Sequence, residues 1–208
     1  MSVKTRVAVI CQSVADPRVY HLAMAATAAA WDAGAEVRVR RVGEVAAPDG
    51  ARANPECEEI LRDCEYIPEA TPADLEWADV ALFGTPTRDG AVVGHLKRFI
   101  DATVPLWKEG KVASKVYGVF TGAARREGTG TRLLSLADVF AYWGGIVVAP
   151  AGPAVLVRRD AAPCAPAAAR TVPIPTEAEL AAAREQGRQA AEAAHALKAA
   201  RCALADVA

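Results

Sequence analysis

Three short stretches bring together the residue types that bind or transform small polar ligands. The first is Ser13-Val14-Ala15-Asp16-Pro17-Arg18, where a hydroxyl, a carboxylate and a guanidinium lie within six positions. The second is Gly84-Thr85-Pro86-Thr87-Arg88-Asp89-Gly90, with two turn-forming glycines around two hydroxyls, a cation and an acid. The third is Thr121-Gly122-Ala123-Ala124-Arg125-Arg126-Glu127-Gly128. Hydroxyls and backbone N–H groups can hold a phosphate or a polar ring edge, and paired arginines can clamp an anion. Each stretch also has a plainer reading. Ser13 can serve a local turn, Asp16 can cap a helix, and Arg125-Arg126 can face solvent. No P-loop, nucleophile elbow or Ser-His-Asp order occurs. His21, His95 and His195 fall on expected helices and read as surface or interface residues rather than bases. Cys11, Cys57, Cys64, Cys164 and Cys202 are scattered, odd in number and form no C-x-x-C pair, so free thiols are expected and a zinc site is not.

The elements that must position these stretches follow a regular alternation. Residues 7–11 form an apolar run suited to a strand buried on both faces. Asp16-Pro17 opens a helix that reaches Trp31 and stops at Gly34. Residues 36–42 alternate as a second strand, and residues 43–71 read as an excursion with one helical turn near 56–62. A short capped helix at 71–77, a strand at 80–84 and a helix at 94–104 with Leu96, Phe99 and Ile100 on one face come next. A strand at 115–121, a helix at 131–143, a strand at 146–149 and a long loop to 175 follow. Thr176, with Glu179 three residues on, has capping-box spacing and opens a last helix to about 198. Strands alternating with helices predict a doubly wound α/β fold whose five-stranded parallel sheet is covered on both faces. One such domain is expected over residues 1–200, with 201–208 as a tail. In this architecture ligands bind beyond the carboxyl ends of the strands, which is where all three stretches fall.

With 24 Lys+Arg, 25 Asp+Glu and a net charge of -1, the chain offers no strong field for nucleic acid or an anionic membrane surface. A hydrophobic fraction of 52% supports a buried core. No apolar run approaches bilayer length and the first residues do not read as a signal peptide, so a cytoplasmic location is expected.

Gly84-Thr85-Pro86-Thr87-Arg88, followed by Gly90, Gly94, Phe99, Asp101 and Trp107, resembles the WrbA-type NAD(P)H:quinone oxidoreductases of the flavodoxin-like superfamily. Gly34-Ala35-Glu36-Val37 and the last helix from Pro175-Thr176-Glu177 to Gly187 share the likeness, which covers most of the chain. The resemblance implies non-covalent FMN, two-electron transfer from NAD(P)H to a quinone, and self-association as a dimer or tetramer. It implies that Ser13, Val14, Ala15, Asp16 and Arg18 occupy the FMN-phosphate loop. Pro86, Thr87, Arg88 and Asp89 would run along the isoalloxazine, with Thr121, Gly122, Ala123, Arg125 and Arg126 on its other side. Tyr142 stands where the family has a histidine near the flavin, and Arg88 and Tyr142 are the candidate catalytic groups. Trp107 matches a tryptophan that lines the quinone pocket from a neighbouring subunit.

The chain departs from the family pattern inside these loops. The glycine of the phosphate loop is replaced by Asp16-Pro17, the Gly-rich run after the fourth strand is thinned, and a P-Y-G segment is absent. A helix N-terminus attracts phosphate through unpaired N–H groups and a positive dipole end. Asp16 would use those groups itself, and Pro17 removes one of them. Like charges ~4 Å apart repel by ~4 kcal/mol at an effective dielectric of about 20. The same scaffold is therefore also readable as one that has lost FMN and uses the cleft for flavin-free chemistry or ligand binding, with Arg88, Asp89 and Tyr142 converging on it.

Overall fold

The computed structural model describes residues 4–12, 17–43, 55–86, 94–122, 129–149 and 174–205. Five strands, β1 (Arg6–Gln12), β2 (Glu36–Val42), β3 (Val80–Pro86), β4 (Val116–Gly122) and β5 (Ile146–Val148), form one parallel sheet in the order β2-β1-β3-β4-β5. This is the flavodoxin-like order, with a switch point between β1 and β3. Among the described residues seven helices flank it: α1 (Pro17–Asp32), α2 (Pro55–Glu65), α3 (Pro72–Trp77), α4 (Gly94–Ala102), α5 (Val104–Lys108), α6 (Thr129–Tyr142) and α7 (Glu177–Ala205).

The period-2 geometry of strands sorts the core into two layers. Val7, Val9, Cys11, Val80, Leu82, Val116 and Phe120 face α1, α2 and α7. Ala8, Ile10, Ala81, Phe83, Tyr117 and Val119 face α3, α4, α5 and α6. On the second face Phe83, Phe140 and Tyr117 stack in series, with centroids 4.9 and 4.8 Å apart. The Tyr117 hydroxyl donates to the Val112 carbonyl at 2.7 Å, which satisfies the buried phenol.

Small residues bring α1 and α7 unusually close. α7 presents Ala182, Ala183, Gly187, Ala190, Ala191 and Ala194 inward, and α1 answers with Ala23, Ala26 and Ala30. A Cβ on Gly187 would lie 2.3 Å from the Ala26 carbonyl oxygen, so only glycine permits this crossing. At the other end of α1, Gly34 takes φ +85° in the turn that stops the helix, as its position predicts.

The expected elements are present, with differences in extent; β3 runs two residues past its expected end at 84. The excursion at 43–71 contains an 11-residue helix rather than a single turn, because Ile60 and Cys64, four residues apart, both bury. The helix expected over 94–104 divides at Thr103, where Pro105 cannot continue the α4 hydrogen bonds and the Thr103 hydroxyl donates to Ile100 O at 2.7 Å. The β5 strand is one residue shorter than expected. The last helix runs seven residues past 198, so residues 201–205 are helix rather than tail, and Arg201 donates to Ser114 O at 2.9 Å. No helix among the described residues is long and apolar enough to cross a membrane.

Candidate active site

The carboxyl ends of β1, β3 and β4 lie side by side. Cys11 pairs with Gly84, Gly84 with Phe120, Thr85 with Thr121 and Pro86 with Gly122. Gly84 is required there because the Phe120 ring crosses over it. A Cβ would come within 2.5 Å of that ring and 3.2 Å of Cys11 Sγ. Thr85 is buried. Beside it, the Thr121 hydroxyl is buried with no hydrogen-bond partner among the described residues. Buried hydroxyls are ordinarily bonded, so an orphan at the mouth of the sheet marks a place for a ligand's polar atom.

Of the residues expected in the site, Pro86 and Gly122, expected in loops, are instead the last residues of β3 and β4, and Thr121 is the penultimate residue of β4. Ser13, Val14, Ala15, Asp16, Thr87, Arg88, Asp89, Ala123, Arg125 and Arg126 fall outside the described residues.

Arg18, expected to turn toward a phosphate, turns instead to Glu179. One Nη donates to both Glu179 oxygens at 2.8 Å, and Arg18 is only 8% exposed. Glu179 also closes the predicted capping box. Its Oε2 accepts from the Thr176 N–H at 2.7 Å and the Thr176 hydroxyl at 2.8 Å. Burial alone would raise the Glu179 carboxyl. The Thr176 hydrogen bonds and the Arg18 guanidinium outweigh that and hold it below the usual carboxylate range. The cap was legible in the Thr176–Glu179 spacing. The ion pair, between residues 161 positions apart, was not.

Tyr142 and Trp107 meet each other, with centroids 5.3 Å apart and planes 23° from parallel. They do so at the far end of the sheet from Thr121. Tyr142 ends α6, which runs back from the carboxyl end of β4 over 14 residues, or about 20 Å. The following Gly144 carbonyl accepts from Ser114 N, just before β4 begins. The expectation that Tyr142 stands beside a flavin held by its own chain is therefore corrected. Helix α6 carries it to the amino end of the sheet, where it is 71% exposed. Val104, Trp107, Ile146 and Val147 are also exposed.

Cys11 and Cys64 are buried, and burial pushes the Cys64 thiol up to about 12 and that of Cys11 further still. They are inert packing thiols. Among the described residues no group of His, Cys, Asp and Glu could hold a metal ion.

Comparison with known proteins bears on the same cleft. Residues 5–157 match the model of the family described as NADPH-dependent FMN reductase. The chain belongs to that family. A Deinococcus radiodurans protein named NAD(P)H dehydrogenase (quinone) is 36% identical over 132 residues, 63% of this chain and 66% of its own length. Proteins of the same name from Geobacter sulfurreducens and Archaeoglobus fulgidus are 35% and 33% identical. They cover 77% and 85% of this chain, and 83% and 91% of their own lengths. The WrbA-like flavodoxin structure from Agrobacterium tumefaciens superimposes with a TM-score of 0.59 at 20% identity, covering 92% of this chain and 98% of that one. The two-electron reduced flavodoxin of Megasphaera elsdenii gives 0.52 at 17%, covering 89% and 98%. At these identities the structures speak to fold alone.

An FMN ring fits the cleft on the chain's own chemistry. The orphan Thr121 hydroxyl offers a hydrogen bond at the carboxyl end of β4, and Gly84 keeps the adjacent strand ends close.

Proposed function

We propose that the protein is an FMN-dependent NAD(P)H:quinone oxidoreductase. The observation that carries the reading is the FMN reductase family match over residues 5–157, which spans β1 to β5; the unpartnered Thr121 hydroxyl near the end of β4 supports it. Bound FMN would accept a hydride from NAD(P)H and pass two electrons to an acceptor; the protein supplies binding, orientation and shielding from water. Thr121 holds a polar edge of the ring, and Pro86 and Gly122 set the width of the slot through their paired backbones. Thr87, Arg88 and Asp89 line one side, and Ala123, Arg125 and Arg126 the other.

The acceptor pocket is completed by a second copy of the chain. Trp107 and Tyr142 stand at the opposite end of the sheet from their own Thr121, and Val104, three residues before Trp107 on α5, is exposed as well. An exposed, stacked aromatic pair of this kind fits subunit contact. Docked onto the neighbour's cleft in a dimer or tetramer, the stacked pair offers a flat surface to a quinone ring. The location that fits this chemistry is the cytoplasm.

The visible spectrum of the purified protein, followed by FMN titration, tests the reading. Flavin bands or micromolar FMN binding, with bleaching by NADH or NADPH and recovery on adding a quinone, is the expected result. A colourless protein that ignores FMN would overturn it and leave the flavin-free use of the cleft.

A further inference from the structure

FMN differs from riboflavin only in its terminal phosphate, so the phosphate end of the cleft decides which flavins are accepted. In this architecture that end lies at the start of α1. A strong phosphate site there needs free N–H groups and uncancelled positive charge. Pro17, the first residue of α1, has no N–H to give. Arg18, the second, is the cation nearest that end by sequence, and its charge is already matched. The Arg18–Glu179 contact uses both carboxylate oxygens, is part-buried, and leaves a pair that is neutral overall.

Glu179 is fixed in place from its other side. Its Oε2 is bonded to the Thr176 N–H and hydroxyl, and its own N–H returns to Thr176 Oγ1 at 3.3 Å. The carboxylate therefore cannot swing away without opening the cap of α7. Moving Arg18 to a phosphate would leave a part-buried carboxylate without its countercharge, which is unfavourable. Leaving Arg18 where it is would place the phosphate dianion near Glu179, a like charge.

Resting on the flavin reading above, we infer that the phosphate adds little to binding and that the cleft accepts riboflavin about as readily as FMN. Glu179 is the positioning residue behind this specificity, because it holds Arg18 in a neutral pair. The flavin is retained through its ring and ribityl chain, which the two ligands share.

The test is a pair of titrations on the flavin-stripped protein, following the quenching of flavin fluorescence by FMN and by riboflavin. The expected result is two dissociation constants within about tenfold of each other. FMN binding more than about tenfold tighter than riboflavin would overturn the inference and leave the flavin reading standing. Binding of neither would overturn both. The variant Glu179→Gln keeps the shape of the cap and removes its charge. It should tighten FMN severalfold and leave riboflavin unchanged, whereas an equal change for both ligands would remove Glu179 from this role. The wild-type comparison decides the main point even if the variant does not fold.

Discussion

The rings of Trp107 and Tyr142 stack on each other at the amino end of the sheet, 5.3 Å between centroids, while the cleft opens at the other end. Neither residue reaches its own chain's Thr121, and in the proposed assembly both act across a subunit boundary. Trp107→Ala should weaken self-association by about tenfold, the scale of a truncated aromatic anchor. It should also raise the quinone KM with little change in flavin content per chain. Sedimentation velocity together with steady-state kinetics checks this, and unchanged assembly with unchanged KM would sink it.

Gly187 and the Ala26 carbonyl set the distance between α1 and α7. Gly187→Ala would place a methyl 2.3 Å from that oxygen, and the neighbour is backbone, which cannot rotate aside. A loss of about 1–3 kcal/mol in unfolding free energy is expected, measured by urea denaturation. Arg18 and Glu179 ride on these two helices, so the same substitution should loosen their contact.

The Arg18–Glu179 pair predicts an acid-side loss of stability. The Glu179 carboxyl is lower in the folded chain than its ordinary value of 4.5. The folded state therefore binds fewer protons than the unfolded chain in this range. The contribution is present in full above the unfolded pKa and is lost as pH falls through the folded one. In Glu179→Gln that part of the pH dependence should vanish. Urea midpoints of both proteins at pH 7 and at acid pH should converge on acidification, and parallel curves would contradict the assignment.

Thiol chemistry offers a check on the packing. Cys11 and Cys64 are buried with raised pKa values, whereas Cys202 is exposed on α7. A maleimide at pH 7.5, about one unit below the pKa of an ordinary thiol, should label Cys202 within minutes and spare Cys11 and Cys64 until denaturant is added. Peptide mass spectrometry reads each site separately, and rapid labelling of Cys11 would mean that the end of β1 opens.

The architecture was legible because its signals are local. The apolar run 7–11 has no polar interruption, so it can only be a strand covered on both sides, and Thr176–Glu179 spells a cap in four residues. Contacts between distant segments carry no such signal. Nothing beside Arg18 in the sequence points to Glu179, and nothing in Tyr142 reveals that α6 carries it to the wrong end of the sheet for its own cleft. Arg18 was placed by analogy to a loop whose chemistry Asp16-Pro17 had already altered. The small-residue face of α7 was also readable as composition only. Its meaning depends on Ala26 lying opposite.

Gln186 gives α7 a duty at the point where β4 and β5 part. Pairing between these strands ends at Gly118 and Val148, and the Gln186 amide nitrogen donates to Val119 O at 3.2 Å and to Val148 O at 3.0 Å. The chain is made from its amino end, so β1 to β5 are synthesised before the residue that satisfies these two carbonyls. Until α7 follows, the Ala-rich side of α1 is bare as well. The fold therefore closes late, by joining its two most distant helices, a topology of high contact order that folds slowly. A nascent chain halted anywhere in the long stretch before α7 would hold all five strands of its sheet and still be one helix short of a sealed core.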